Sequence, residues 1–477
     1  MQRYFFYYLI SFLLSTTFAK GQCSEHIDTL QKLCIADTIS TVFVRHITLT
    51  GNVKTRNYIV RRDVPIQENQ YISQNSLHQK LTIAKNNLVN SQLYVDVNVS
   101  YIPICKDTID INVQLKERWY IFPIPYLLYA DRNFNQWWSE HKASLSRLNY
   151  GIEYTQHNVT GRNDKFNSTL ITGYTQQVAF QYTFPYIDKK LRHGVFIGAS
   201  YINAKELNYV SDADKQLFYK QDNRIVRAQS RINIGYTYRH AIKTQHTFTI
   251  SLLKEYITDS IRIRNPNYIN TTANTIIFPT FFYAFRYVDA DYIPYPLNGG
   301  TVDISLLKKG YNNEMNLLQI KLNAKRSWPL SWPKFYLHLQ TAAMLKLPFH
   351  QPYYNQNLFG YDDFNLRGLE YYVVDGAAGG LLKTTLKREV VSFHINNKLF
   401  ASKTHDRIPI KIFFNGFTDI GYAYQPQKIN SKLNNQLLYT GGLGVDIITG
   451  YDIVLNATYS LNQLGQHGIF LNYRIGL

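Results

Sequence analysis

Gly468-Ile-Phe-Leu-Asn-Tyr-Arg-Ile-Gly-Leu477 alternates residue by residue to its last position. Ile469, Leu471, Tyr473, Ile475 and Leu477 share one face, and Phe470, Asn472, Arg474 and Gly476 share the other. A period of two places successive side chains on opposite sides of a sheet, so this strand has one apolar and one largely polar face. Ending on such a strand suits a sheet that closes on itself, because an open sheet would leave a long apolar edge there. The same alternation recurs in Arg231–Arg239, Thr247–Leu252, Leu318–Ala324, Phe335–Gln340 and Tyr451–Tyr459. Turn signals read at Gly161-Arg-Asn-Asp164, Asn298-Gly299-Gly300 and Gly441-Gly442 separate these strands. From residue 119 onward, roughly 22 residues per strand and connection give about 16 strands, an even number suited to a transmembrane antiparallel β-barrel. The 39 tyrosines fit the aromatic girdles of such a barrel. A large soluble sandwich or propeller is the competing reading, since one-sided soluble sheets alternate too.

An export signal favours the membrane barrel. The long apolar stretch of the 477-residue chain is Tyr4–Leu14, preceded by Arg3 and followed by Ala19-Lys20-Gly21. This reads as a signal peptide over residues 1–21. With 45% hydrophobic residues and a mean hydropathy of −0.26, the composition does not suit a helical membrane bundle. Lys20-Gly21-Gln22 before Cys23 lacks a lipoprotein pattern. Export permits a disulfide among Cys23, Cys34 and Cys105, with Cys23–Cys34 nearest in sequence, and no cysteine or histidine shows metal-site spacing. The 51 Lys and Arg against 33 Asp and Glu leave a net charge of +18. These cations are scattered, which suits a basic lumen and rim rather than nucleic-acid binding.

Ahead of the barrel, after a short segment at 22–40, residues 41–118 read as a small α+β module. Val42–Leu49 alternates as a strand and meets the turn Gly51-Asn52. Thr55 stands where a helix cap would, before Tyr58–Arg61. Leu77, Leu81, Ala84 and Leu88 recur at helical spacing, and Leu93–Tyr101 and Thr108–Leu115 are two further strands. The order is β-α-α-β-β, with the four helical residues packed under the last two strands and one strand edge left exposed.

This module followed by a barrel resembles the BamA/TamA family of outer-membrane assembly and translocation proteins, whose periplasmic unit is the POTRA domain. The first strand with Gly51-Asn52, Thr55 and Ile59-Val-Arg61 resembles the start of a POTRA. Leu88-Val-Asn-Ser-Gln-Leu-Tyr94 with Val97 resembles its second helix and following strand. Glu117-Arg118 looks like the junction with a barrel over 119–477. Asn158-Val-Thr-Gly161 and Tyr295-Pro-Leu-Asn-Gly-Gly300 look like the family's strand-turn signatures. Phe364-Asn-Leu-Arg-Gly-Leu-Glu370 is similar to its Arg-Gly-aromatic loop motif, and Phe413–Gly421 resembles the late strand whose Asp faces that loop. The chain departs from the family in having one POTRA, Leu369 in place of the aromatic, and Leu477 as its last residue.

No nucleophile motif appears, and Asp362-Asp363 reads as a solvated loop tip, so the expectation is a non-enzyme without cofactor. The resemblance implies a protein in the bacterial outer membrane, its POTRA in the periplasm. It would insert or translocate client polypeptides by strand templating at the barrel seam and on the POTRA. Outer-membrane lipid, an extended client and accessory assembly proteins are the implied partners. A passive pore or a surface adhesin is the alternative. The seam is expected between the strand holding Pro123 and Pro125 and the terminal strand with Phe470, Tyr473 and Leu477. Prolines belong on sheet edges, and these two would remove donors facing the same neighbour. The loop carrying Arg367 and Gly368 is expected to enter the lumen, with Arg367 paired to Asp419.

Overall fold

The computed structural model describes residues 41–105, 107–129, 136–140, 142–188, 190–221, 224–361, 364–396, 407–449 and 452–475. The signal-peptide reading, Cys23, Cys34, Asp362-Asp363 and Leu477 lie outside them. The first unit is a four-stranded sheet of β1 (Thr41–Thr50), β2 (Gln70–Ser73), β3 (Tyr94–Cys105) and β4 (Thr108–Glu117), in the order β2-β1-β4-β3. Helices α1 (Asn57–Asp63) and α2 (Gln74–Asn90) connect β1 to β2 and β2 to β3. The four-residue β2, too short to show alternation, adds an edge strand to the order read from sequence. Leu77, Leu81, Ala84 and Leu88 bury the inner face of α2 in one core with Val97, Ile109, Ile111, Val113 and Leu115. Burial of such aliphatic side chains contributes about 1.5–3 kcal/mol each. The core extends to Tyr120 and Tyr186, which belong to the second, larger unit.

Beyond residue 120, sixteen strands form one antiparallel sheet. The first five are β5 (Ile121–Tyr129), β6 (Leu148–His157), β7 (Lys165–Gly173), β8 (Thr175–Phe184) and β9 (His193–Ala204). A separate hairpin of β10 (Glu206–Asp212) and β11 (Lys215–Lys220) stands at the far end, away from the small domain. The wall continues with β12 (Arg227–Tyr238), β13 (Thr244–Ile257), β14 (Thr275–Ala290), β15 (Gly299–Lys309), β16 (Leu317–Pro329) and β17 (Phe335–Leu347). After the short pair β18 (Asn357–Phe359) and β19 (Val374–Asp375), it is completed by β20 (Ala378–Asn396), β21 (Arg407–Tyr424), β22 (Leu437–Thr449), β23 (Ile453–Asn462) and β24 (His467–Ile475). A six-residue helix, α3 (Asp259–Arg264), sits in the connection between β13 and β14.

The sheet wraps into a barrel: one cavity of about 1270 Å³ is lined from β7 round to β24. Alternation separates its two surfaces. Ile469 is 63% exposed and Phe470 3%, and the same rule turns Ile232, Ile234, Ile250 and Leu252 outward on the opposite wall. Inside, Lys383, Lys387, Asn415 and Asp446 face the cavity, and its basic side chains outnumber its acidic ones. At the domain-proximal end an outward aromatic row runs through Tyr154, Phe166, Tyr182 and Phe184, with adjacent ring centroids 6.1, 6.2 and 4.4 Å apart. A polar filled interior and an apolar exterior with an aromatic row are the inverse of a soluble protein and match a membrane barrel.

Candidate functional site

Residues 348–361 and 364–377, between β17 and β20, leave the wall and fold inward. Phe359 and Phe364 stack with centroids 4.8 Å apart, and with Leu358, Leu366 and Leu369 they pack on Ala342, Leu381, Ala423 and Leu438. Apolar packing therefore delivers the tip Asn365–Gly368 into the lumen. There Arg367 Nε donates to Asp419 Oδ2 at 2.9 Å, Nη2 donates to Oδ1 at 2.5 Å, and the Arg367 backbone N–H donates to Oδ2 at 3.1 Å. The planar guanidinium matches both carboxylate oxygens, a geometry an ammonium cannot reproduce. It also lies 3.8 Å from the ring centroid of Phe417, which adds a cation–π contact. Asp419, Phe417, Asn415 and Phe413 are buried while Phe414, Thr418 and Ile420 are exposed, which fixes their face as the inner one.

The neighbours of the pair complete the clamp. Lys383, opposite Asp419 on β20, donates from Nζ to Asn365 Oδ1 at 2.9 Å. Asn462 Nδ2 donates to Gly368 O at 2.8 Å, and Gly368 N–H donates to Glu370 Oε2 at 2.7 Å. Gly368 has φ +89°, a conformation that strains any residue with a Cβ, and a Cβ there would also crowd Ser460 Cβ at 3.1 Å. Gly441 and Gly442, whose composition reads as a turn, lie inside β22. Gly442 is opposite Phe417, and its Cβ would come within 2.9 Å of that ring and 2.1 Å of Tyr459 O. The glycine makes room for the ring on which Arg367 stacks. Neither Phe417 nor Gly442 is singled out for this role by the sequence; the signal available was a glycine pair in an otherwise alternating stretch.

The seam residues occupy the two ends of the wall. β5 and β24 stand first and last in the sixteen-strand order. His157 N–H donates to Tyr120 O at 2.8 Å, and the register continues Ile121 with Gln156, Pro123 with Tyr154 and Pro125 with Ile152. Hydrogen-bonded and non-hydrogen-bonded pairs alternate in an antiparallel ladder. Pro123 and Pro125 therefore occupy non-hydrogen-bonded positions, and their nitrogens point away from β6. Phe470 faces inward against Tyr371, with ring centroids 5.7 Å apart, and Tyr473 pairs with Leu455 on β23.

The small domain seats on the near mouth of the barrel. Thr55 does not cap α1, whose N-cap is Arg56 with no side-chain cap bond. Its hydroxyl is taken instead by Tyr120 OH at 3.1 Å and Asn158 Nδ2 at 2.9 Å. Glu117 accepts the Thr55 N–H at 2.6 Å, and Arg118 Nη1 donates to Gln92 O at 3.2 Å. Arg62 lies over Tyr186 at 4.3 Å, and burial holds the Asp63 carboxyl above its usual range against the pull of Arg62. Asn90 Nδ2 donates to Ala290 O at 3.2 Å, and Gln92 Nε2 to Asp452 Oδ2 at 3.2 Å. Among the described residues no group of His, Cys, Asp or Glu is placed to hold a metal ion.

The family model described as "POTRA: Surface antigen variable number repeat" matches residues 42–118. No curated protein sequence matches the chain. Among solved structures, BamA from Haemophilus ducreyi lacking POTRA domains 1–3 aligns with a TM-score of 0.50 and 16% identity, over 91% of this chain and 83% of that one. CdiB from Escherichia coli aligns with a TM-score of 0.54 and 10% identity, over 91% of this chain and 75% of that one. At those identities the likeness is one of fold. Residues 42–118 thus form a POTRA domain, and the chain as a whole shares the fold of the BamA and CdiB structures, a POTRA followed by a sixteen-stranded barrel.

Proposed function

We propose that this protein sits in the bacterial outer membrane, its POTRA in the periplasm, and assists the insertion or translocation of client polypeptides by offering them strand edges. The observation that carries this reading is the pair of prolines in β5, whose nitrogens face away from β6 and towards the end of the sheet. At a closing ladder they would remove two donors, so a seam at β5 and β24 would part at lower cost than any other strand pair. A parted edge accepts an extended chain through main-chain hydrogen bonds. A second edge is β3 of the POTRA, which ends the small sheet and exposes Val95, Tyr101, Ile102 and Ile104. Soluble domains rarely leave an apolar edge of that length uncovered. A passive pore is less well supported, because a clamped loop enters the lumen and POTRA side chains line its near mouth.

Vesicles containing the full chain should speed the folding of an added unfolded outer-membrane polypeptide several-fold over empty vesicles. Removing residues 41–116 should abolish the gain while the barrel keeps its heat-modifiable mobility on a gel. A large steady conductance with no effect on folding would instead favour the pore.

A further inference from the structure

A groove of about 480 Å³ opens where the POTRA meets the turns after β6 and β8, apart from the lumen clamp and the seam. Two arginines stand on it. The Arg56 N–H donates to Gly161 O at 3.1 Å, which brings the POTRA's Arg56 beside Arg162 of the barrel turn. Gly161 has φ +82°, and a Cβ there would be 2.4 Å from Lys54 O and 3.4 Å from Arg56 Cγ, so this close approach needs a glycine. Both arginine side chains are exposed, and among the described residues neither forms an ion pair. The one carboxylate of the groove, Asp164, is occupied: its oxygens accept from Thr160 N–H at 2.8 Å and Tyr182 OH at 2.5 Å. Two guanidinium groups that share one groove and form no ion pair of their own are set to receive a shared anion.

Apart from Thr160, the rest of the groove is aromatic or apolar and lies at a defined level. Phe184 and Ile187, both exposed, flank the arginines, and Phe184 ends the outward aromatic row. Such rows mark the boundary between hydrocarbon and headgroups. Cations just beyond the row, with apolar side chains leading back into it, have the order of a phospholipid from phosphate to acyl chain. We propose that this groove binds an anionic phospholipid of the periplasmic leaflet, its phosphate between Arg56 and Arg162 and its chains along Phe184 and Ile187. Because Arg56 belongs to the POTRA and Arg162 to the barrel, the lipid would bridge the two and favour the seated domain. The inference rests on the outer-membrane reading proposed for the whole chain.

The test uses the full chain inserted into vesicles of phosphatidylethanolamine and phosphatidylglycerol, extracted in mild detergent, with retained lipid counted by native mass spectrometry. The protein should retain phosphatidylglycerol over phosphatidylethanolamine by on the order of tenfold, as one charge-assisted contact suffices to give. Arg162→Gln alone should lower that ratio, and Arg56→Gln with Arg162→Gln should bring it near one. Arg224→Gln with Arg264→Gln, at the far end, should leave it unchanged. A wild-type ratio near one, a ratio unmoved in the double variant, or displacement of the lipid by millimolar inorganic phosphate would each overturn the site. Co-flotation with the vesicles separates the two readings. A chain that inserts without lipid preference overturns only the groove, whereas one that fails to insert overturns the membrane assignment and the groove with it.

Discussion

The two sides of this barrel are built to different standards. Around β20 and β21, strands of 19 and 18 residues pair over their length, and the loop tip is clamped across them by Arg367, Asp419 and Lys383. At the other extreme, β5 and β24 have nine residues each, and β5 carries two prolines. The ladder is shorter and backbone donors are fewer at β5 than at β20 and β21. Stiffness is therefore distributed: one side is braced from within, and on the proposed reading this brace lets the other side part without loss of the fold.

The largest expected effect comes from breaking the brace. Asp419→Ala strands the Arg367 guanidinium and Arg367→Ala strands a fully buried carboxylate, so each should cost on the order of 3–5 kcal/mol. The double variant should be little worse than either single in denaturant unfolding of the reconstituted barrel, whereas additive losses would mean that the two do not act as a pair. Gly442→Ala sharpens the point. Its Cβ would meet the Phe417 ring and Tyr459 O, an overpacking cost of about 1–3 kcal/mol, with a matching fall in the unfolding midpoint. A neutral Gly442→Ala would show that the ring has room to move. At the proposed seam the sign reverses. Pro125→Val restores a donor facing away from β6 and should stabilise the barrel by about 0.5–1.5 kcal/mol while slowing client folding. Unchanged stability together with unchanged activity would remove the prolines from the account.

Much of this was legible in the sequence because alternation is a local signal. Ile469 and Phe470 declare their faces without knowledge of any neighbour, and the same holds along each long strand. The Arg367–Asp419 contact could be anticipated only through resemblance, since the alternation of Phe413–Gly421 does not say which face is inside. What could not be read depends on tertiary contact. Gly441-Gly442 has turn composition, yet it lies in β22 because Phe417 on the next strand occupies the missing side-chain space. Thr55 has cap composition, yet its hydroxyl is claimed by Tyr120 and Asn158, far along the chain. Arg56 and Arg162 likewise become neighbours only once the POTRA seats on the turn after β6.

The central claim is that the wall opens at one place. A photo-crosslinking residue placed in turn at Leu127 of β5, Leu471 of β24 and Ile420 of β21, all outward and exposed, tests it during folding of a client into the same vesicles. The account predicts client adducts from Leu127 and Leu471 and none from Ile420. Equal adducts at all three positions, or adducts confined to Ile420, would contradict it.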